Sequence, residues 1–318
     1  MLHGFAVFIL THGRPESIAT IKSLRTSGYS GKIYIVIDDE DKTADEYIKR
    51  FGDDVKVFSK SDAASACDSG TNSGKRGSIL FARNWSYILA KNLGLTHFWQ
   101  LDDDYTQFNW SSDNAGNYLN TTKKSKIKTL DNVLAACLEF LDASNAATVA
   151  FAQGGDFIGG KSGRFHQLSR QGRFARKAMN SFLCRTDRPI AFRGIFNEDV
   201  NTYVVNGGKG DLYVTIPRLR LSQPATQSQS GGITELYLDC GTYVKSMMTV
   251  MYAPSCVSIS MMGYRSRRVH HRISWNHAVP RIVSHKYQKR CSNDQTWPGT
   301  DADENQGNLR QPRQASSE

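Results

Sequence analysis

Blocks of apolar residues separated by polar turns mark out the first hundred positions. FAVFILTH (5–12) is a short apolar run bounded by Gly, Arg and Pro, the pattern of a buried central strand. In PESIATIKSLRTSG, Ile18, Ile21 and Leu24 recur at helical spacing, and Pro15 suits a first helical turn. KIYIVIDDED (32–41) reads as a second strand ending in acids, ADEYIKRFG as a short helix and VKVFSK as a third strand. This alternation predicts a mainly parallel sheet covered by helices. Residues 59–78 are rich in Ser, Gly and Asp and read as a loop. ILFARNWSYILAKNLG (79–94) resumes the helical period, and THFWQL supplies a strand that runs into Asp102, Asp103 and Asp104.

The pattern is less regular further on. A polar loop is expected over 111–126 and an amphipathic helix over TLDNVLAACLEFLDAS (129–144). TVAFAQGG, PIAFRG, LYVTIPRLRL and YVKSMMTVMYAPSCVSISM read as strands, and VVNGGKGDLYV (204–214) as a hairpin turn. GGDFIGGKSGRFHQ (154–167) is glycine-rich, but it lacks the GxxxxGK[ST] spacing that cradles nucleotide phosphates for hydrolysis. From about residue 290 few apolar anchors remain, which predicts a disordered tail over 291–318. No internal repeat is evident.

Composition narrows the class. The hydrophobic content of 39% fits a soluble globular protein, and no window is long and apolar enough to span a bilayer. The N-terminal run lacks a basic leader and a cleavage pattern, and the six cysteines are scattered without a CxxC pair. Together these point to the cytoplasm, and the cysteine spacing suggests neither a zinc knuckle nor a redox dithiol. The net charge of +10 is uneven. Residues 161–196 carry nine Lys/Arg against the single acid Asp187, and 261–290 carry eight with no acid, a distribution suited to a polyanion or a phosphorylated ligand.

Ligands of open parallel sheets collect at the carboxyl ends of strands. In an extended chain Asp102 and Asp104 share a side and Asp103 faces the other way. Two such carboxylates suit a hard divalent cation, Mg²⁺ or Mn²⁺, though any two of the three aspartates fit the same chemistry. Asp38, at the end of the second strand, could accept hydrogen bonds from a base or ribose. Glu198 and Asp199 in FRGIFNEDVNTYV form another acidic pair behind an apolar stretch.

The N-terminal half resembles the GT-A (Rossmann-like) nucleotide-sugar glycosyltransferases in FAVFILTHGRP, IVIDDED and GSILFARNWSYILAKNLGLTHFWQLDDD. With the RNW segment, LDDDY, FRGIFNEDVNTY and the basic, histidine-rich RVHHRISWNHAVPRIV, the chain is most similar, over about residues 4–285, to the TET-associated glycosyltransferases. These phage-associated enzymes modify hydroxymethylated pyrimidines in DNA. The resemblance implies a single GT-A domain over 1–290, with a nucleotide-sugar-binding half (1–110) and an acceptor-binding half (111–290). It implies a metal held by Asp102 and Asp104 with a late histidine, His277, and donor contacts from Thr11, Arg14, Asp38, Arg83, Asn84 and Asp102. Lys75, Arg76 and Arg83 would add positive charge at the donor diphosphate. Asp199, with Glu198 as the alternative, would be the base. The implied reaction is inverting transfer of a hexosyl or N-acetylhexosaminyl group from a UDP-sugar to 5-hydroxymethylcytosine in DNA. Trp110, Phe165 and Phe174 are candidates for stacking on an extruded base.

Three other accounts fit the residues less fully. A GT-A enzyme could act on a glycan, a lipid-linked sugar or a protein. Acids, histidines and basic patches could instead form a metal-dependent nuclease, or the chain could bind DNA without catalysis.

Overall fold

The computed structural model describes residues 2–153, 157, 160–163, 166–167, 181–224, 233–263 and 267–278; the segment expected to form a tail, 291–318, lies outside them. Residues 1–288 form one compact unit. Its centre is an eight-stranded sheet in the order β3-β2-β1-β4-β7-β6-β8-β5. The strands are β1 (Phe5–Leu10), β2 (Lys32–Asp38), β3 (Val55–Phe58), β4 (His97–Asp102), β5 (Gln107–Trp110), β6 (Thr148–Gln153), β7 (Phe182–Arg185) and β8 (Tyr213–Ser222). β7 and β5 run against their neighbours and the rest run in one direction, so the expected mixed, mainly parallel sheet is present.

The helices are α1 (Ala19–Thr26), α2 (Ala44–Phe51), α3 (Lys60–Ser65), α4 (Leu80–Asn92), α5 (Leu130–Ser144), α6 (Glu198–Gly208), α7 (Ile233–Tyr252) and the short α8 (Trp275–Ala278). The β1 side chains show why both faces need cover. Ala6, Phe8 and Leu10 enter a core with residues of α4, α6 and α7, while Phe5, Val7 and Ile9 enter one with residues of α1, α2 and α5. A strand buried on both faces loses the polar alternation of an exposed sheet, hence the unbroken run FAVFIL. A separate antiparallel ribbon, β9 (Val257–Met262) and β10 (Arg268–Ile273), follows α7.

Several local expectations are corrected. Residues 60–65 are helical, because Ser59 caps them by accepting from the Asp62 amide. VVNGG belongs to the end of α6, not to a hairpin turn, and PIAFRG forms no strand. YVKSMMTVMY lies in α7, which is broken at Gly241 (φ 74°); only VSISMM behind it is a strand. The β-branched and methionine residues there match a strand in composition, yet Met248 enters the core from a helix.

Candidate active site

The carboxyl end of β4 sits between the ends of β1 and α1 on one side and α4 and α6 on the other. Thr20 of α1 fixes the turn: its hydroxyl donates to the Asp102 carbonyl (2.7 Å) and accepts from the Tyr105 amide (2.9 Å), while its amide donates to the Asp103 carbonyl (3.1 Å). The three aspartates then part company. Asp103 accepts from the Thr11 hydroxyl at 2.6 Å and from Arg14 Nη1 at 3.3 Å. Asp102 accepts from Arg83 Nη2 at 3.0 Å. Asp104 keeps a buried oxygen, Oδ1, with no hydrogen-bond partner.

Arg83 joins the two acidic segments. It lies on the Leu80, Arg83, Tyr87, Ala90 face of α4 and is 1% exposed. Its Nε donates to Glu198 Oε1 at 3.1 Å, and the guanidinium lies 5.1 Å from the Phe182 ring centre and 5.8 Å from that of Phe192. A cation so placed demands carboxylates, and Asp102 and Glu198 raise its pKa against the opposing effect of burial. Burial, with repulsion from Asp104, Glu198 and Asp103, pushes Asp102 up to about 7 although Arg83 opposes it. Burial and then Asp199 raise Glu198, again against Arg83. Asp104 is raised by burial and by Asp103.

Glu198 and Asp199 open α6 directly after Asn197, which takes a left-handed conformation (φ 53°, ψ 37°). The Asn197 amide group donates to the Lys245 carbonyl (2.9 Å) and the Thr249 hydroxyl (3.0 Å), and its nitrogen lies 3.4 Å from His271 Nδ1. Gly194 also has positive φ (82°). A Cβ there would meet Asn201 Nδ2 at 2.5 Å, and the glycine amide donates to the Asp68 carbonyl at 2.8 Å. Both acids of α6 are buried, but only Glu198 is held by Arg83; no described residue hydrogen-bonds the Asp199 carboxylate.

The other expected donor residues fall into distinct places. Thr11 and Arg14 reach the aspartate turn through Asp103. Asp38 is occupied by His12 Nδ1 (2.8 Å) and Lys60 Nζ (3.1 Å), which hold its pKa down against burial. Arg76 pairs with Glu40 at 2.6 Å, beyond the end of β2, and the Lys75 amide donates to the Ser73 hydroxyl (3.4 Å). Asn84 is a backbone clip: its amide group donates to the Leu80 and Phe192 carbonyls and accepts from the Phe192 amide (3.0–3.1 Å). His277 lies in α8 with Nδ1 3.3 Å from the Ser274 hydroxyl. Among the described residues no three His, Cys, Asp or Glu side chains converge as a metal-holding set, so His277 is not brought together with Asp102 and Asp104. Trp110 carries Arg218 over its ring at 5.1 Å, and Phe165 and Phe174 lie outside the described residues.

Residues that the pattern did not single out complete the site: His12, Lys60, Tyr47 and Thr20. Tyr47 accepts from the Arg14 amide (2.8 Å) and is hydrogen-bonded to the Thr11 hydroxyl (3.0 Å). A sequence signal existed for the Arg83 bridge, since a lone arginine on an otherwise apolar helix face requires a buried acid.

Among solved structures, the chain is similar to glucosyl-3-phosphoglycerate synthase from Mycobacterium tuberculosis in complex with Mg²⁺ and UDP (11% identity, 85% of this chain and 87% of that one, TM-score 0.44). It is also similar to the mannosyltransferase PcManGT from Pyrobaculum calidifontis in complex with GDP-Man and Mn²⁺ (11% identity, 78% and 73%, TM-score 0.41). No curated protein matches it. The profile of the TET-Associated Glycosyltransferase family matches residues 5–232, from β1 past α6 and so across both acidic segments, and the chain belongs to that family of GT-A glycosyltransferases.

Proposed function

We propose that the protein transfers a sugar from a UDP-sugar to the hydroxymethyl oxygen of 5-hydroxymethylcytosine in DNA, with the strand-end aspartates at the donor diphosphate and Asp199 as the base. Family membership supports the reaction class and the DNA acceptor. The observation that carries the site is the Asp102–Arg83–Glu198 bridge, which joins the end of β4 to the start of α6 within one buried cluster.

In this reading Asp199 accepts the hydroxyl proton as the acceptor oxygen attacks the anomeric carbon. The bond from that carbon to the UDP oxygen breaks on the opposite face, UDP leaves with the electron pair, and the anomeric centre inverts. An unassisted hydroxyl is a poor nucleophile near neutral pH, so a positioned base contributes about 10²–10⁴ in rate. Asp199 suits that task better than Glu198, because its carboxylate is uncommitted whereas that of Glu198 is held by Arg83. Arg83 holds Glu198 and Asp102 in position and balances part of their charge. The unpartnered Asp104 oxygen is a hard ligand suited to a divalent cation. Held by Asp104 beside Asp102, such a cation would neutralise charge developing on the departing diphosphate.

No described helix is long and apolar enough to cross a membrane, and the five described cysteines are free thiols. Both agree with a place in the cytoplasm, that of the host if the chain is phage-encoded. The deciding experiment is mass spectrometry of hydroxymethylated DNA after incubation with Mn²⁺ and a panel of UDP-sugars. A hexose or N-acetylhexosamine mass added only to hydroxymethylcytosine is the expected result; no added mass with any donor overturns the reading.

A further inference from the structure

The two faces of the β9–β10 ribbon differ in chemistry. Strand register places Val257, Ile259 and Met261 opposite Ile273, His271 and Val269 on one face. On this face Val257 and His271 are buried while Ile259 and Met261 stay exposed, the Ser246 hydroxyl of α7 donates to the Val269 carbonyl (3.0 Å), and Asn197 contacts His271. The other face pairs Ser258 with Arg272, Ser260 with His270 and Met262 with Arg268. Arg268 and Arg272 are exposed, as is Arg267 beside them, and none of the three pairs with an acid among the described residues. The sequence from Ala253 to Ala278 contains no Asp or Glu at all.

We infer that this outer face is a docking surface for the phosphate backbone of duplex DNA, an assignment that rests on the DNA acceptor proposed above. Guanidinium groups match phosphate oxygens in charge and fork geometry, and the exposed Ser258 hydroxyl adds a donor to the same oxygens, while that of Ser260 donates to the His270 carbonyl. Arg268 and Arg272, four residues apart, lie about 13 Å apart along an extended strand, the axial rise of about four nucleotides. Two-stranded ribbons are an established means of engaging a duplex. The ribbon is also tied to catalysis by position. Its buried His271 contacts Asn197, the residue immediately before Glu198 and Asp199. A backbone gripped on the outer face therefore lies across a single two-stranded ribbon from the element that carries the base.

The test compares the full-length protein with Arg268→Ala/Arg272→Ala and the charge-retaining Arg268→Lys/Arg272→Lys. Binding of an unmodified duplex is followed by fluorescence anisotropy across a salt series, and transfer is followed on a hydroxymethylated duplex. The alanine pair should weaken duplex binding tenfold or more and lower the salt slope, log K against log salt, by about two. It should keep the wild-type kcat at saturating DNA, and the lysine pair should recover most of the binding. Wild-type affinity and salt slope in the alanine pair would overturn the inference, as would a loss confined to phosphatidylserine vesicles. Because binding is read without turnover, failure of the wild type to modify hydroxymethylated DNA would defeat the acceptor reading alone.

Discussion

At the scale of single residues the site turns on how four charged side chains divide their work. Arg83 is the only described cation that contacts both acidic segments, and removing one member of a buried ion pair leaves an uncompensated charge worth about 3–5 kcal/mol. Arg83→Met should therefore lower thermal stability sharply, and Arg83→Lys, which cannot span both carboxylates with a fork, should retain the fold better while transferring at least tenfold more slowly. Thermal melts beside steady-state kinetics separate the two effects. The acids of α6 give a sharper contrast. Asp199→Asn should cut kcat by about 10²–10⁴ with UDP-sugar affinity unchanged, whereas Glu198→Gln, whose amide oxygen still accepts from Arg83, should lose far less. Isothermal titration of the donor with single-turnover rates checks both, and the reverse ranking would make Glu198 the base.

At the scale of elements, loop geometry sets the site as much as the strands do. Gly194→Ala would force a Cβ against Asn201, Tyr252 and Met248 at positive φ, and should cost about 1–3 kcal/mol and displace the start of α6. A lower melting temperature together with a reduced kcat is the expected result. The β1–β2 edge has its own pH signature. The hydrogen bond to Asp38 raises His12 above 6.5 although burial opposes it, so this pairing stabilises the fold fully below pH 6.5 and fades as pH climbs through the folded value. Asp38 is held below 3.8 by His12 and Lys60 against burial, so its share is present above that pH and fades as pH falls through its folded value. His12→Asn should thus narrow its melting-temperature deficit as pH rises from about 6 to 9; a constant deficit would refute the pairing. The same elements show what a sequence reveals. FAVFIL, YIVID and FWQL are complete local signals because both sheet faces are buried, and acids that follow apolar runs marked Asp102, Asp104, Glu198 and Asp199. The four-residue strand β7, FLCR, lacks the apolar alternation that makes the equally short β3 readable as VKVF, and the composition of residues 242–252 is overridden by packing. The Arg83–Glu198 contact spans 115 positions, and His12 acquires its role only once β1 and β2 lie side by side.

At the scale of the whole molecule the fold gathers more negative charge than it balances. Asp102, Asp103, Asp104, Glu198 and Asp199 come from two distant segments, and among the described residues only Arg83 and Arg14 offset them through direct contact. Burial is the largest cause of the upward shifts of Asp102, Asp103, Asp104 and Glu198, and like-charge neighbours add to it at Asp102, Asp104 and Glu198 but not at Asp103. A site that is strained without a ligand is stabilised by whatever cation it binds, because a ligand that binds only the folded state adds about 2.7 kcal/mol at a concentration of 100 Kd. Mn²⁺ with UDP should therefore raise the melting temperature by several degrees, and EDTA should reverse the rise. Asp104→Asn carries two opposite expectations. Removing one unpaired carboxylate relieves repulsion, so the metal-free variant should melt slightly above the metal-free wild type. Removing the proposed cation ligand should abolish the Mn²⁺-dependent rise, and sugar transfer with it. Scanning fluorimetry of both proteins with and without Mn²⁺ and UDP reads both signs at once. An equal Mn²⁺ shift in the variant would place the cation elsewhere, and a lower metal-free melting temperature would show that Asp104 supports the fold rather than straining it.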